Sequence, residues 1–227
     1  MLSYREVAEL AYYGAKVLHP KTIRPVIENN IPLRIKNTFN PDDPGTLIVA
    51  ESPNDNGGVK AVTAIRDVSL VNVEGRGMIG VPGIAARTFG AVAHSRVSVL
   101  LISQASSEQS ICFAVPADFS DQVVSDLESE FAEEIKCRDI DKIWARNPLS
   151  IVTAVGAGMR GTLGIAGRLF TALGNQGVNI MAIAQGSSEC SVSMVVDAQD
   201  TAAAAVKQQR MCLAAQNAHV DGPVMNV

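Results

Sequence analysis

The chain has 227 residues, 47% of them hydrophobic and 19% charged, with a formal net charge of −4. That is globular composition, with room for one large core or two small ones, and it excludes a disordered chain. The negative balance argues against a nucleic-acid or anionic-membrane surface; no apolar run approaches a membrane span, and the start Met1-Leu2-Ser3-Tyr4-Arg5-Glu6 lacks the apolar stretch of a signal peptide.

Residues 3–30 read as helical, with Val7, Leu10, Ala11, Val17 and Leu18 on one side and an end near His19-Pro20. Pro32-Leu33-Arg34-Ile35-Lys36 is a strand, and Phe39-Asn40-Pro41-Asp42-Asp43-Pro44-Gly45 is turn chemistry. Ser52-Pro53-Asn54-Asp55-Asn56-Gly57-Gly58 is the best linker, so a boundary is expected at 52–58.

Beyond it the chain repeats itself. Gly75, Gly77, Met78, Gly80, Gly83, Ile84, Ala85, Arg87, Phe89 and Ala91 recur without a gap as Gly156, Gly158, Met159, Gly161, Gly164, Ile165, Ala166, Arg168, Phe170 and Ala172. Each copy reads as a strand (68–73 or 150–155), a glycine loop and an amphipathic helix. A second strand (97–103 or 178–184), a third (110–115 or 191–196) and a second helix near Asp118 or Asp200 follow, with those two aspartates as candidate N-caps. Gly177 suits a helix C-cap. Ile140–Ala145 supplies a fourth strand for the first copy; for the second, residues 219–227 are weakly patterned. The expected fold is mixed α/β (α+β), two ferredoxin-like βαββαβ units in tandem at 59–140 and 141–227.

Both loops spell GxGxxG between a strand and a helix. A dinucleotide fingerprint also needs an acidic residue about 20 positions on to hold the ribose. Those places hold Val99, Leu100 and Leu101, or Ile180, Met181 and Ala182, so nicotinamide-cofactor binding is not expected. The loops are either tight turns with positive φ or helix-start N–H groups that receive a small ligand's carboxylate. Gln104 and Gln185 close the second strands and head the turns Gln-Ala-Ser-Ser-Glu and Gln-Gly-Ser-Ser-Glu. Their amides either read the polar head of an amino acid or merely end a strand. Glu108 and Glu189 are candidate partners of Arg87 and Arg168, while Glu128, Glu130, Glu133 and Glu134 read as a solvated helix face. The cysteines Cys112, Cys137, Cys190 and Cys212 are widely spaced, which points to unpaired thiols in a reducing cytoplasm. With His19, His94 and His219 far apart, neither a metal site nor a catalytic residue is expected, and His19 reads as a turn residue.

Residues 3–23, Lys36-Asn37-Thr38-Phe39-Asn40-Pro41 and Pro44-Gly45-Thr46-Leu47-Ile48 closely resemble the end of the catalytic domain of aspartokinases, and the two glycine-rich units resemble the paired ACT domains that follow it. The segments Ile102–Glu108 and Ile183–Glu189 are most similar to the threonine-sensitive form, usually joined to a homoserine dehydrogenase. The resemblance implies that residues 1–51 are a remnant of an amino-acid-kinase domain, inactive alone. ATP and Mg²⁺ belong to the parent kinase, and this chain needs no cofactor of its own. It also implies an amino-acid effector, threonine ahead of lysine, methionine or S-adenosylmethionine, and a homodimer, and it leaves the tandem boundary near residue 140 open, because some family members exchange a carboxy-terminal strand between the two units. Carried over residue by residue, the effector contacts are Gln104 and Gln185, the loop residues Met78, Gly83 and Ile84 with Met159, Gly164 and Ile165, and Ser98 and Asn179. The Ser98/Asn179 difference implies pockets of unequal affinity. The alternative is a free-standing ACT sensor or dimerisation module.

Overall fold

The computed structural model describes residues 1–15, 18, 20–51, 58–104 and 109–206. The expectations for His19, for most of the 52–58 linker, for Glu108 and for residues 219–227 lie outside them.

The first 51 residues form a small layer of their own: β1 (Leu2–Ser3), α1 (Tyr4–Tyr12), α2 (Pro20–Glu28), β2 (Leu33–Ile35) and β3 (Thr46–Val49). β3 lies between β1, to which it is parallel, and β2, to which it is antiparallel. Tyr4, Val7, Ile23 and Ile48 are its buried core. Pro20 begins a helix where the sequence pattern ended one. Proline fits the first helical turn, where its missing N–H would have no partner.

The rest folds as β4 (Ala61–Glu74), α3 (Ile84–His94), β5 (Leu101–Gln104), β6 (Ser110–Pro116), α4 (Ser120–Glu130), α5 (Ala132–Cys137), β7 (Lys142–Val155), α6 (Ile165–Gly174), β8 (Ala182–Gln185) and β9 (Ser191–Asp197), with 201–206 helical. One antiparallel sheet runs β5-β6-β4-β7-β9-β8. Strand alternation sorts the side chains. Val71, Val73 and Phe113 face Val92 and Leu127 of the first unit's helices; Val152, Ala154 and Met194 face Leu169 and Leu173 of the second's. Leu70, Ala114, Ile151 and Val195 point the other way and form a third core shared by both units.

The two long central strands each serve both units. Residues 68–74 of β4 pair with β6, and 70–74 pair with 142–146 of β7, completing the first unit. Residues 149–155 of β7 pair with β9 and with 61–65 of β4, so 61–65 fills the fourth-strand place of the second unit. The units therefore exchange strands instead of following one another in a simple tandem. The junctions carry a register shift between Ile65 and Val68 and a cis Asn147–Pro148 bond.

Two caps differ from the sequence expectation. Asp197, not Asp200, accepts the Gln199 N–H at the turn before the last helical segment, and no side chain caps α4 beside Asp118. Gly177 does adopt the left-handed conformation after α6, with φ +71°. The matching position after α3 is Arg96, exposed and left-handed at φ 56°. A side chain there carries a steric cost that glycine avoids. Arg96→Gly is expected to raise stability by about 0.5–1 kcal/mol in urea unfolding. A loss of stability would show that the Arg96 side chain contributes contacts that outweigh its backbone strain.

Candidate functional site: the glycine-loop pockets

Each glycine loop has two halves with different physical jobs. At the start of the first, Gly75 is extended and buried, and a Cβ there would stand 2.2 Å from the Asp139 carbonyl oxygen. A Cβ on Gly77 would lie 2.5 Å from Asp139 Cα. These glycines let the segment that leads into β7 press against the loop. At its end, Gly80 and Gly83 have φ +69° and +93° with open space where a Cβ would be. Only there is glycine required by torsion, and the turn it permits delivers the chain into α3 with no side chain capping the helix start.

That turn walls a cavity of about 330 Å³ lined by Met78, Gly80, Val81, Gly83, Ile84 and Gln104, among others. Met78 and Ile84 supply a buried apolar floor, and Gln104, exposed at the end of β5, supplies an amide. The helix-start N–H groups of α3 favour negative charge. Apolar floor, amide and anion-seeking backbone suit a small amino acid. Four of the sequence-derived residues, Met78, Gly83, Ile84 and Gln104, thus meet in one place. Ser98 does not line this cavity. It is exposed in the segment before β5, where the neighbouring Val99 carbonyl accepts from the Tyr12 hydroxyl at 3.4 Å. Asn179 lines a different cavity between the units, together with Gln104.

The second loop repeats the construction. Gly156 approaches the Gly58 carbonyl oxygen, Gly161 and Gly164 have φ +67° and +75°, and Met159 and Ile165 are buried. Gln185 is exposed at the end of β8. Glu189 does not reach for Arg168. Its carboxylate accepts the Gly161 N–H at 2.8 Å, so a side chain from the polar turn braces the loop. In the first unit Arg87 binds Glu130 at 2.7 Å and Glu134, and lies 4.6 Å from the Phe131 ring centre. Two of the acids read as a solvated face therefore clamp α3 to α4 and α5. The Arg87 bonds hold the Glu134 carboxyl below its usual range.

A contact invisible to local pattern links this loop to the amino-terminal layer. Glu6, fully buried, accepts the Ser3 N–H at 2.7 Å and thereby closes a capping box on α1. Its other oxygen accepts the Ala157 N–H at 2.7 Å and pairs with Lys60 at 3.1 Å. Burial pushes the Glu6 carboxyl up, but the bonds from Ser3, Ala157 and Lys60 outweigh it and leave it below the ordinary value. Ala157 is two residues from Met159, so α1 is tied directly to the second glycine loop.

Among the described residues no group of histidine, cysteine, aspartate or glutamate can hold a metal ion, Cys112, Cys137 and Cys190 are unpaired, and no helix is long and apolar enough to cross a membrane.

The family model described as the ACT domain matches residues 71–131 and 152–208, one match on each glycine-loop unit. The chain belongs to the ACT-domain family. Its paired form is similar to that of aspartokinases. A bifunctional aspartokinase/homoserine dehydrogenase of Haemophilus influenzae is 45% identical over 212 residues, covering 93% of this chain and 26% of that protein. A chloroplastic counterpart of Zea mays is 45% identical over 203 residues, covering 88% and 22%. The chain thus spans about a quarter of the length of these relatives. Among solved structures, Clostridium acetobutylicum aspartate kinase superposes with a TM-score of 0.80 at 30% identity, over 92% of this chain and 48% of the other. The E. coli aspartokinase III complex with lysine and aspartate gives 0.73 at 25% identity, over 92% and 45%. The ACT pair is therefore an aspartate-kinase-type regulatory region, and its amino-terminal layer is matched along with it.

Proposed function

We propose that this chain is the effector-sensing region of an aspartate kinase, and that threonine bound at the glycine-loop pockets inhibits ATP- and Mg²⁺-dependent phosphorylation of aspartate. The observation that carries this reading is the cavity where Gln104 faces the turn Gly80–Gly83 and the uncapped start of α3. Threonine's carboxylate sits at the helix start, its methyl group on Met78 and Ile84, and its polar head at the Gln104 amide. By the repeat, Gln185 and the second glycine loop serve a second threonine in the same way. The path to the kinase layer starts from that second loop, through the Ala157–Glu6 bond to α1. Threonine shifts the balance between two arrangements only by the difference in its affinity for them.

Exposed Ile102 on β5 and Ile183 on β8 occupy matching places on the two edge strands of the sheet. Unpaired strand edges with apolar side chains favour pairing with a second copy, which supports a homodimer joined through the ACT units.

Thermal unfolding of the 227-residue chain with threonine, lysine and methionine tests this reading. Threonine at about 100 times its Kd stabilises by about 2.7 kcal/mol, roughly 5–10 °C. Gln104→Ala together with Gln185→Ala removes the shift. A shift with lysine alone keeps the ACT sensor and replaces the effector. No shift with any of the three rejects the pocket as an effector site in this chain.

A further inference from the structure

The sheet face opposite the helices is covered in one unit and open in the other. In the second unit, α1 and the residue after it lie on it. Ser191 Oγ donates to Glu9 Oε2 at 2.9 Å, Tyr13 packs on the shared core, and Thr63 Oγ1 donates to the Tyr13 carbonyl at 2.9 Å. Below them Thr153 and Ser193 satisfy each other at 2.8 Å. This face of the second unit thus receives a carboxylate and a phenol ring.

The repeat places Ser110 opposite Ser191 in the comparison, Cys112 opposite Ser193, Asn72 opposite Thr153, Trp144 opposite Thr63 and Arg146 opposite Ile65. No counterpart of the Glu9 and Tyr13 contacts falls on these first-unit residues among the described residues; Arg146 is exposed, while Ser110, Cys112 and Trp144 are half-buried. They border a cavity of about 510 Å³ whose far wall is Asn179–Ala182. Asn72, only 7% exposed, sits in register between Cys112 and Trp144, and its Nδ2 is the buried side-chain polar atom that finds no hydrogen-bond partner among the described residues. A buried donor left unsatisfied costs about 1–3 kcal/mol. Arg146 enters no ion pair among the described residues. Compared with the covered face, the open one has gained a cation, an amide donor and an indole ring.

We propose that this open face is a second small-molecule site, distinct from the glycine-loop pockets, that takes an aryl-substituted carboxylic acid. The carboxylate pairs with the Arg146 guanidinium and the ring lies along Trp144, repeating with a free ligand what Glu9 and Tyr13 do within the chain; Asn72 Nδ2, buried beside them, donates to the carboxylate once the side chains over it move aside. Gln104 borders both cavities, so occupancy here alters the first glycine-loop pocket.

Trp144 is the only tryptophan of the chain, so its fluorescence reports this site directly. The probe is 3-phenylpropionate, with neutral 3-phenylpropionamide as control, titrated into the 227-residue chain. The expected result is a saturable change at millimolar carboxylate and none with the amide. Asn72→Thr, which installs the residue the second unit uses, and Arg146→Gln each weaken it by about tenfold or more. Both variants keep the wild-type unfolding midpoint to within a few degrees. No saturable change, an equal response to the amide, or unchanged affinity in Arg146→Gln overturns the proposal. So does a Trp144 emission shift that grows with protein concentration in the absence of probe, which would give this face to a second copy of the chain.

Discussion

Replacing Glu6 by glutamine is expected to lower unfolding free energy by about 2–4 kcal/mol at neutral pH, an effect far beyond that of a surface substitution. The carboxylate is fully buried and accepts from two backbone N–H groups, Ser3 and Ala157, as well as from Lys60. Glutamine keeps the volume, but one of its terminal atoms becomes a donor facing a donor, and the charge opposite Lys60 is gone. The amino-terminal layer has only a small core, Tyr4, Val7, Ile23 and Ile48, so loosening begins there. Hydrogen exchange in the variant should accelerate first in α1 and around Ala157, with the amides of β6 and β9 following only through global unfolding. The pH dependence carries a sign. Because the folded carboxyl titrates below its ordinary value of 4.5, its contribution is complete above that value and is lost as pH falls through the folded pKa. Wild type and variant therefore differ by a constant amount near neutrality and converge in acid. A constant difference down to the acid limb would mean that the carboxylate is not the stabilising form. A variant with wild-type stability but lost threonine response would assign Glu6 to signalling alone.

The repeat was legible because both units impose the same local demands: glycine where φ is positive, apolar residues where the sheet meets the helices. Gly80, Gly83, Gly161 and Gly164 announce themselves that way. Pairing across the sheet was not legible, since which strand completes which unit is decided by contacts far apart in sequence. The resemblance to aspartokinases left room for a strand exchange, and the fold shows where it falls. The repeat offset carries back to Gly58, Val59 and Lys60 against Asp139, Ile140 and Asp141. In the fold Val59 and Ile140 are buried in the two helix-side cores. Lys60 N–H donates to the Val155 carbonyl, and Asp141 N–H donates to that of Glu74, both at 2.8 Å. None of these pairs is an identity, so the correspondence is one of position in the fold and not of sequence. Charge partners were the least legible part. Arg87 faces a helix turn 43 to 47 residues away, and Glu6 reaches Ala157 across 151 residues, distances at which no periodicity survives. Ser98 and Asn179, matched by position, part company because the cavity between the units has only one of them on its wall.

Gly75→Ala is expected to cost about 3 kcal/mol or more, and Gly83→Ala only about 1–2, although the second breaks a backbone rule and the first does not. Gly75 is extended at φ −174°, a conformation alanine adopts freely. Its methyl would stand 2.2 Å from the Asp139 carbonyl oxygen and 2.6 Å from Ile140 Cα, both backbone atoms of the segment that leads into β7. Neither can rotate aside, so the segment must move, and with it Ile140, 1% exposed in the first core. Gly83 presents the opposite case. At φ +93° an alanine is strained, but nothing lies within 4 Å of its Cβ. What it changes is the mouth of the pocket, because that empty space is where the ligand approaches α3. Urea unfolding and ligand-dependent thermal shift together separate the two effects. Gly75→Ala should lose stability first, and its ligand response should fall only as the folded population falls. Gly83→Ala should stay folded and lose ligand response. If Gly75→Ala proved as mild as Gly83→Ala, the strand exchange would tolerate looser docking than the backbone distances allow. If Gly83→Ala bound threonine as wild type does, the pocket between the glycine turn and Gln104 would not be where the ligand sits.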